Sequence, residues 1–198
     1  MQIETQELAL FRSVHDALKF ACNYRHGQLK APGMATLYQT PPGLGNDPPK
    51  PPSRGLGGLD GAAQAGIIGA EIKALEPKIR GQIIIARFTV KAIVCDCQNL
   101  CCSGFRPNVA WFKAISEIAE LARTEALAGT VVNFHLRHLM VRKYFGVHVS
   151  FLGAAKTAGV DRDTASAHGS KVVTWLKDHE RKAIFAIEGR LKQAGIVE

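Results

Sequence analysis

The sequence predicts an all-α fold: a helical bundle with a C-terminal helix-turn-helix and a long terminal helix, and a Pro/Gly-rich linker near the N-terminus. Three observations predict it. Apolar residues recur three and four apart along most of the chain, which is the period of amphipathic helices. Asn, Asp, Pro and Gly stand in the gaps, where helices start and stop. Hydrophobic content of 46% over 198 residues is enough for a core, and no internal repeat divides the chain.

From Glu4 to Tyr24 the residues Leu8, Phe11, Val14 or Ala17, Leu18 and Ala21 define one buried stripe, so a packing helix is expected within residues 1–30. Seven of the nine prolines then fall between Ala31 and Gly58, a span that can hold neither a helix nor a strand and reads as a linker, 31–58. A helical core with a cysteine cluster is expected over 59–129. Its first helix, Leu59 to Leu75, has Asp60 as cap and small residues (Gly61, Ala62, Ala63, Ala65, Gly66, Gly69, Ala70) that let another helix approach. Pro77 opens a second at its permitted first turn, running from Lys78 to about Val94, although IIIARFTVKAIV also suits a buried strand. Asn108 caps a third over Val109 to Ala128, with Trp111, Ile115, Ile118, Ala119 and Ala122 along one side.

The DNA-binding region is expected over 130–198. Thr130 or Asn133 opens a helix with Phe134, Leu136, Leu139, Met140 and Tyr144 inward, Arg137, His138, Arg142 and Lys143 outward, and Gly146 at its end. Phe151 to Ser170 then fits a helix-turn-helix. Two helices that cross steeply need a small residue at the contact, a glycine free to take positive φ in the turn, and an apolar plug after it; Ala155, Gly159 and Val160 stand at those places. Ser150 and Asp161 are N-caps for the two helices. Ala165 and His168 face inward, Gly169 weakens the second helix by roughly 1 kcal/mol, and Arg162, Asp163, Ser166, Ala167, Ser170 and Lys171 turn outward, able to reach base edges and phosphates in a major groove. Val172, Leu176, Ala183, Ile184, Ile187 and Leu191 continue the helical period to a stop at Gly195.

A net charge of +8 and a pI near 9.4 favour a polyanionic partner, most simply duplex DNA. From Arg137 to Glu198 there are 11 Lys and Arg against 6 Asp and Glu, so most of that excess surrounds the helix-turn-helix. No apolar run of about 18 residues exists to cross a bilayer. The N-terminus carries acids early, unlike a secretory signal, so a cytoplasmic protein is expected. No Gly-rich phosphate loop, nucleophile elbow, metalloprotease pair or kinase signature occurs, and catalysis is not expected. Cys95, Cys97, Cys101 and Cys102 can converge on one tetrahedral Zn²⁺ if the backbone turns between Cys97 and Cys101. Adjacent Cys101 and Cys102 point different ways, so His135 or His138 can stand in for one of them, with Asp96 behind the ligands; the alternative is a set of small buried thiols.

With the cysteine cluster and GLDGAAQAGIIGAEIKALEPKIRGQIIIARFTV, the segment LRHLMVRKYFGVHVSFLGAAKTAGVDRDTASAHGSKVVTWL resembles the late-gene antitermination proteins, or Q proteins, of temperate phages. The pattern is an apolar helix ending at Tyr144 and Gly146, a helix-turn-helix like that of sigma region 4, and a long helix after it; it covers roughly the last two thirds of the chain. Some family members carry two Cys-X-X-Cys pairs where this chain has Cys-X-Cys and Cys-Cys. The resemblance implies a factor that binds DNA at a late promoter, loads onto promoter-proximally paused bacterial RNA polymerase with its sigma factor, and makes it resistant to termination. It implies that Arg162, Thr164, Ser166, Ser170 and Lys171 face DNA and that Arg137, Arg142 and Lys143 meet phosphates. The competing readings are an operator-binding repressor or activator and an assembly protein whose charge is incidental.

Overall fold

The computed structural model describes residues 9–24, 58–95 and 104–198. Among them are seven helices, α1 (Val14–Asn23), α2 (Gly58–Lys73), α3 (Ile79–Phe88), α4 (Val109–Thr124), α5 (Phe134–Tyr144), α6 (Phe151–Thr157) and α7 (Arg162–Gln193), and two short strands, β1 (Ala92–Val94) and β2 (Phe105–Pro107). The fold is all-α apart from that hairpin. The linker expected over 31–58 lies outside the described residues up to Gly58. No described helix is long and apolar enough to cross a membrane.

The chain divides into two units, one of residues 1–71 and 187–198, the other of residues 72–186. In the first, α1 is shorter than its periodicity suggests. Ser13 caps it, its Oγ accepting from the Asp16 N–H at 3.2 Å, because residues before Ser13 are drawn elsewhere: the Phe11 N–H donates to the Ile196 carbonyl at 3.0 Å. Phe11, Val14, Ala17, Leu18 and Phe20 are buried, as are Ile187, Leu191, Ile196 and Val197. Asp60 lies inside the first turn of α2 rather than at its cap.

In the second unit α3 packs on α4, α4 on α5 and α5 on α6. One hydrophobic cluster runs from Ile79 to Leu176 and takes in Trp111, Ile115, Ile118, Leu136, Met140, Ala155, Ala165 and Val172. The expected helix from Lys78 to Val94 stops at Phe88, where Thr89 turns extended at φ −80° and ψ 138°. The last carbonyls of a helix have no partner within it. Here the Ile85 carbonyl accepts from the Thr89 N–H at 3.0 Å and the Ala86 carbonyl from the buried Trp111 indole at 3.1 Å, so α4 itself terminates α3. The chain then forms the antiparallel β1–β2 pair, with Ala92 opposite Pro107 and Val94 opposite Phe105. Gly81 permits the close approach at the other end of α3, since a Cβ there would lie 2.7 Å from the Ile72 carbonyl oxygen.

Asn108 and Asn133 cap α4 and α5 as expected, accepting from the Ala110 and His135 N–H groups at 3.1 and 2.8 Å. α4 is shorter than expected and ends at Thr124.

Candidate nucleic-acid interface

The helix-turn-helix is built from three local choices. Ser150 Oγ accepts from the Gly153 N–H at 3.3 Å and starts α6. Gly159 takes φ +64°, a left-handed conformation that costs most residues energy, and so allows the Val160 N–H to donate to the Ala155 carbonyl at 3.0 Å and close the helix end. Asp161 Oδ2 then accepts from the Asp163 and Thr164 N–H groups at 2.9 and 3.3 Å, and these bonds hold its carboxyl below the usual carboxylate range. Ala155 and Ala165 are buried in the core cluster and Val160 packs against it. Gly169, expected to weaken the second helix, is buried within a continuous α7 of 32 residues.

This geometry leaves Arg162, Asp163, Thr164, Ser166, Ala167, Ser170 and Lys171 exposed on the first three turns of α7. Between these turns and α5 runs a groove of about 770 Å³, lined by Met140, Lys143, Tyr144, Arg162, Ser166, Gly169, Ser170, Val173 and Thr174. Arg162, Ser166, Ser170 and Thr174 stand four apart along one wall, a polar stripe that the spacing alone reveals, with Lys143 on the opposite wall.

The other basic residues assigned to phosphates are placed differently. Arg137 is not on an outward face. It is 7% exposed, donating to the Val132 carbonyl at 2.6 Å and to Glu120 Oε1 at 3.1 Å, and so ties the start of α5 to α4. Arg142 leans toward α4, its guanidinium carbon 5.9 Å from the centre of the Phe112 ring. Lys143 alone of the three lines the groove. Phe134, expected inward, is half exposed, and Val141 is buried instead.

Within the larger unit one polar knot ties α7 to α3 and α5. Glu180 accepts from Arg87 Nε at 2.6 Å and from a second guanidinium nitrogen at 2.7 Å, and the Tyr144 hydroxyl donates to the same carboxylate. Burial, and then the bond to Glu180, push the Tyr144 phenol up to about 12, so it remains a donor at any physiological pH. Trp175 Nε1 adds a bond to Glu125 Oε2 at 3.2 Å. Sequence reasoning missed this knot because its three members lie on α3, α5 and α7 and no local pattern links them.

Two imidazoles are expected to make the unit sensitive to acid. Burial lowers the pKa of His138, opposed by Glu120 and reinforced by Arg137, Arg142 and His135; burial also lowers that of His179, opposed by Glu125 and Asp178 and reinforced by Arg80 and Lys182. His138 Nε2 and His179 Nδ1 are buried without hydrogen-bond partners. A lowered folded pKa means that the unfolded chain binds the proton more tightly. The stability is therefore present above the ordinary value of about 6.5 and lost as pH falls through the folded one. The urea midpoint should fall between pH 7 and pH 5, and the double variant His138→Phe, His179→Phe should flatten that slope; an unchanged slope would contradict the assignment.

Of the cysteines expected to hold zinc, Cys97, Cys101 and Cys102 lie outside the described residues. Cys95 follows β1, its N–H donating to the Gly104 carbonyl at 2.9 Å. Among the described residues no group of three or more His, Cys, Asp or Glu is arranged to hold a metal, and neither His135 nor His138 forms one with Cys95. Comparisons with protein-family models, with curated proteins and with solved structures found no match to the chain.

Proposed function

We propose that this chain is a DNA-binding transcription antitermination factor that loads onto promoter-proximally paused RNA polymerase and permits readthrough of terminators. The observation that carries the DNA-binding part is the turn at Gly159 and Asp161, which presents Arg162, Ser166, Ser170 and Lys171 on the opening turns of a helix whose inner face is anchored by Ala165. Short polar and basic side chains at the N-terminal end of such a helix suit base edges and phosphates of a major groove. The resemblance of the last two thirds of the chain to phage late-gene antiterminators supports the rest of the reading. The mechanism is occupancy and not covalent chemistry.

Arg162→Ala should weaken specific duplex binding by about 1–3 kcal/mol if it reads a base, whereas Lys143→Ala should weaken all duplexes alike and reduce the salt slope by about one unit. In reconstituted transcription, the protein should raise readthrough of an intrinsic terminator only on templates that carry its late-promoter region. If it lowers initiation with no gain in readthrough, an operator-binding regulator explains the chain better; duplex binding that neither substitution changes removes α7 as the reading helix.

A further inference from the structure

We propose that the groove between α5 and the opening turns of α7 binds a small organic phosphate ester, its anion at Arg162 and its apolar body on the floor, and that this ligand excludes DNA from α7. The exclusion of DNA rests on the reading of α7 given above; the ligand site does not. The groove, at about 770 Å³, lies within the roughly 300–1,000 Å³ of sites that hold small organic ligands. Its floor is apolar: Met140 is 2% exposed, Gly169 is buried, and Val173 stands beside them. With no side chain at Gly169, nothing from that position of α7 fills the cleft. Tyr144 is a fixed part of the lining, its hydroxyl bonded to Glu180 and the Arg87 guanidinium carbon 5.0 Å from its ring centre. That wall is therefore formed before a ligand arrives, which spares part of the cost of binding.

The walls are polar and positive. Arg162, Ser166, Ser170 and Thr174 line one, Lys143 lines the other, and no Asp or Glu is among the described lining residues. No described carboxylate pairs with Arg162. A guanidinium presents N–H donors that fit phosphate oxygens two at a time. The Ser166 hydroxyl, one turn on, can donate to the same group, whereas that of Ser170 is already given to the Ser166 carbonyl at 3.1 Å. Asp163, Ala167 and Lys171 each follow a wall residue, about 100° further round the helix, and form its crest. A duplex carries its phosphates on a convex surface and does not reach a floor of buried Met140 and Gly169. A small ester does reach it, and it takes Arg162 from any DNA at the crest.

The test is isothermal titration calorimetry of the full chain with phenyl phosphate and with adenosine monophosphate. At least one ester should bind at a single site. Adenosine, which lacks the anion, and inorganic phosphate, which lacks the body, should each bind at least about tenfold more weakly. Arg162→Ala, at an exposed position, should weaken the ester at least about tenfold. Val173→Phe fills the floor and should weaken the ester without weakening duplex binding; melting curves of both variants confirm that they fold. In anisotropy with a labelled duplex, the ester should release DNA from the natural chain but not from Val173→Phe. The ligand site is overturned if neither ester binds, if inorganic phosphate binds as tightly as the esters, or if Val173→Phe leaves ester affinity unchanged. An ester that binds without releasing a bound duplex overturns the exclusion. Ester binding by a chain that holds no duplex overturns the reading of α7 and leaves the ligand site standing.

Discussion

Replacing Trp111 by alanine should destabilise the larger unit by about 3–5 kcal/mol, the cost of emptying a large buried aromatic site. Trp111 is 1% exposed at the centre of the cluster that runs from Ile79 to Leu176. Two effects add. The cavity removes contacts on every side, and the indole's bond to the Ala86 carbonyl is lost, leaving a buried acceptor at the end of α3 unpaired. Trp111→Phe separates them, since it keeps most of the volume and removes only the donor, and should cost about 1–3 kcal/mol. Against a total stability of about 5–15 kcal/mol for an ordinary domain, the alanine variant should show a much lower urea midpoint by circular dichroism. A loss below about 1 kcal/mol would mean that the α3–α4 contact is not where the core is consolidated.

The second large effect is expected at Ala165. Ala165→Asp puts a carboxylate into a fully buried position at the inner face of α7, within the apolar cluster. A buried charge without a partner costs about 3–5 kcal/mol, part of which the group escapes by taking up a proton. Duplex binding should fall with it, because α7 can no longer seat on the core that aims its opening turns. Ser166→Asp, one residue on and exposed, is the control: stability should change by less than about 0.5 kcal/mol while DNA binding drops through repulsion of phosphates. Equal melting of the two variants would show that Ala165 does not anchor the helix.

What could be read in the sequence was what neighbouring residues decide among themselves. Ala155, Gly159, Val160 and Asp161 specify their turn by size, backbone freedom and capping chemistry, and they sit where that chemistry places them. The stripe Trp111, Ile115, Ile118, Ala119 and Ala122 is likewise buried as its period requires. Errors arose where a distant partner decides. IIIARFTVKAIV is apolar enough for helix or strand throughout, and the division at Phe88 depends on the Trp111 indole and on pairing with residues 105–107. Its charge places Arg137 outward in the sequence reading, yet it lies beside Leu136 on the buried stripe that continues through Met140 and Val141. Its long side chain lies buried, reaching Val132 and Glu120. Phe11 belongs to the helical stripe of the sequence but stands outside α1, where the tail at Ile196 and Val197 claims it.

The continuity of α7 has a thermodynamic consequence for recognition. Arg162 to Ser170 are the opening turns of a helix whose later turns, at Val172 and Leu176, belong to the core, and Glu180 fastens the same helix to Arg87 and Tyr144. The loss of conformational freedom in these turns is therefore borne when the chain folds and not when it meets DNA. A segment that orders only on contact gives up about 2–5 kcal/mol of its gross interaction energy at that moment. If α7 reads DNA as proposed, that deduction does not apply, and contacts from Arg162, Ser166, Ser170 and Lys171 would lose none of their gross energy to ordering of the helix.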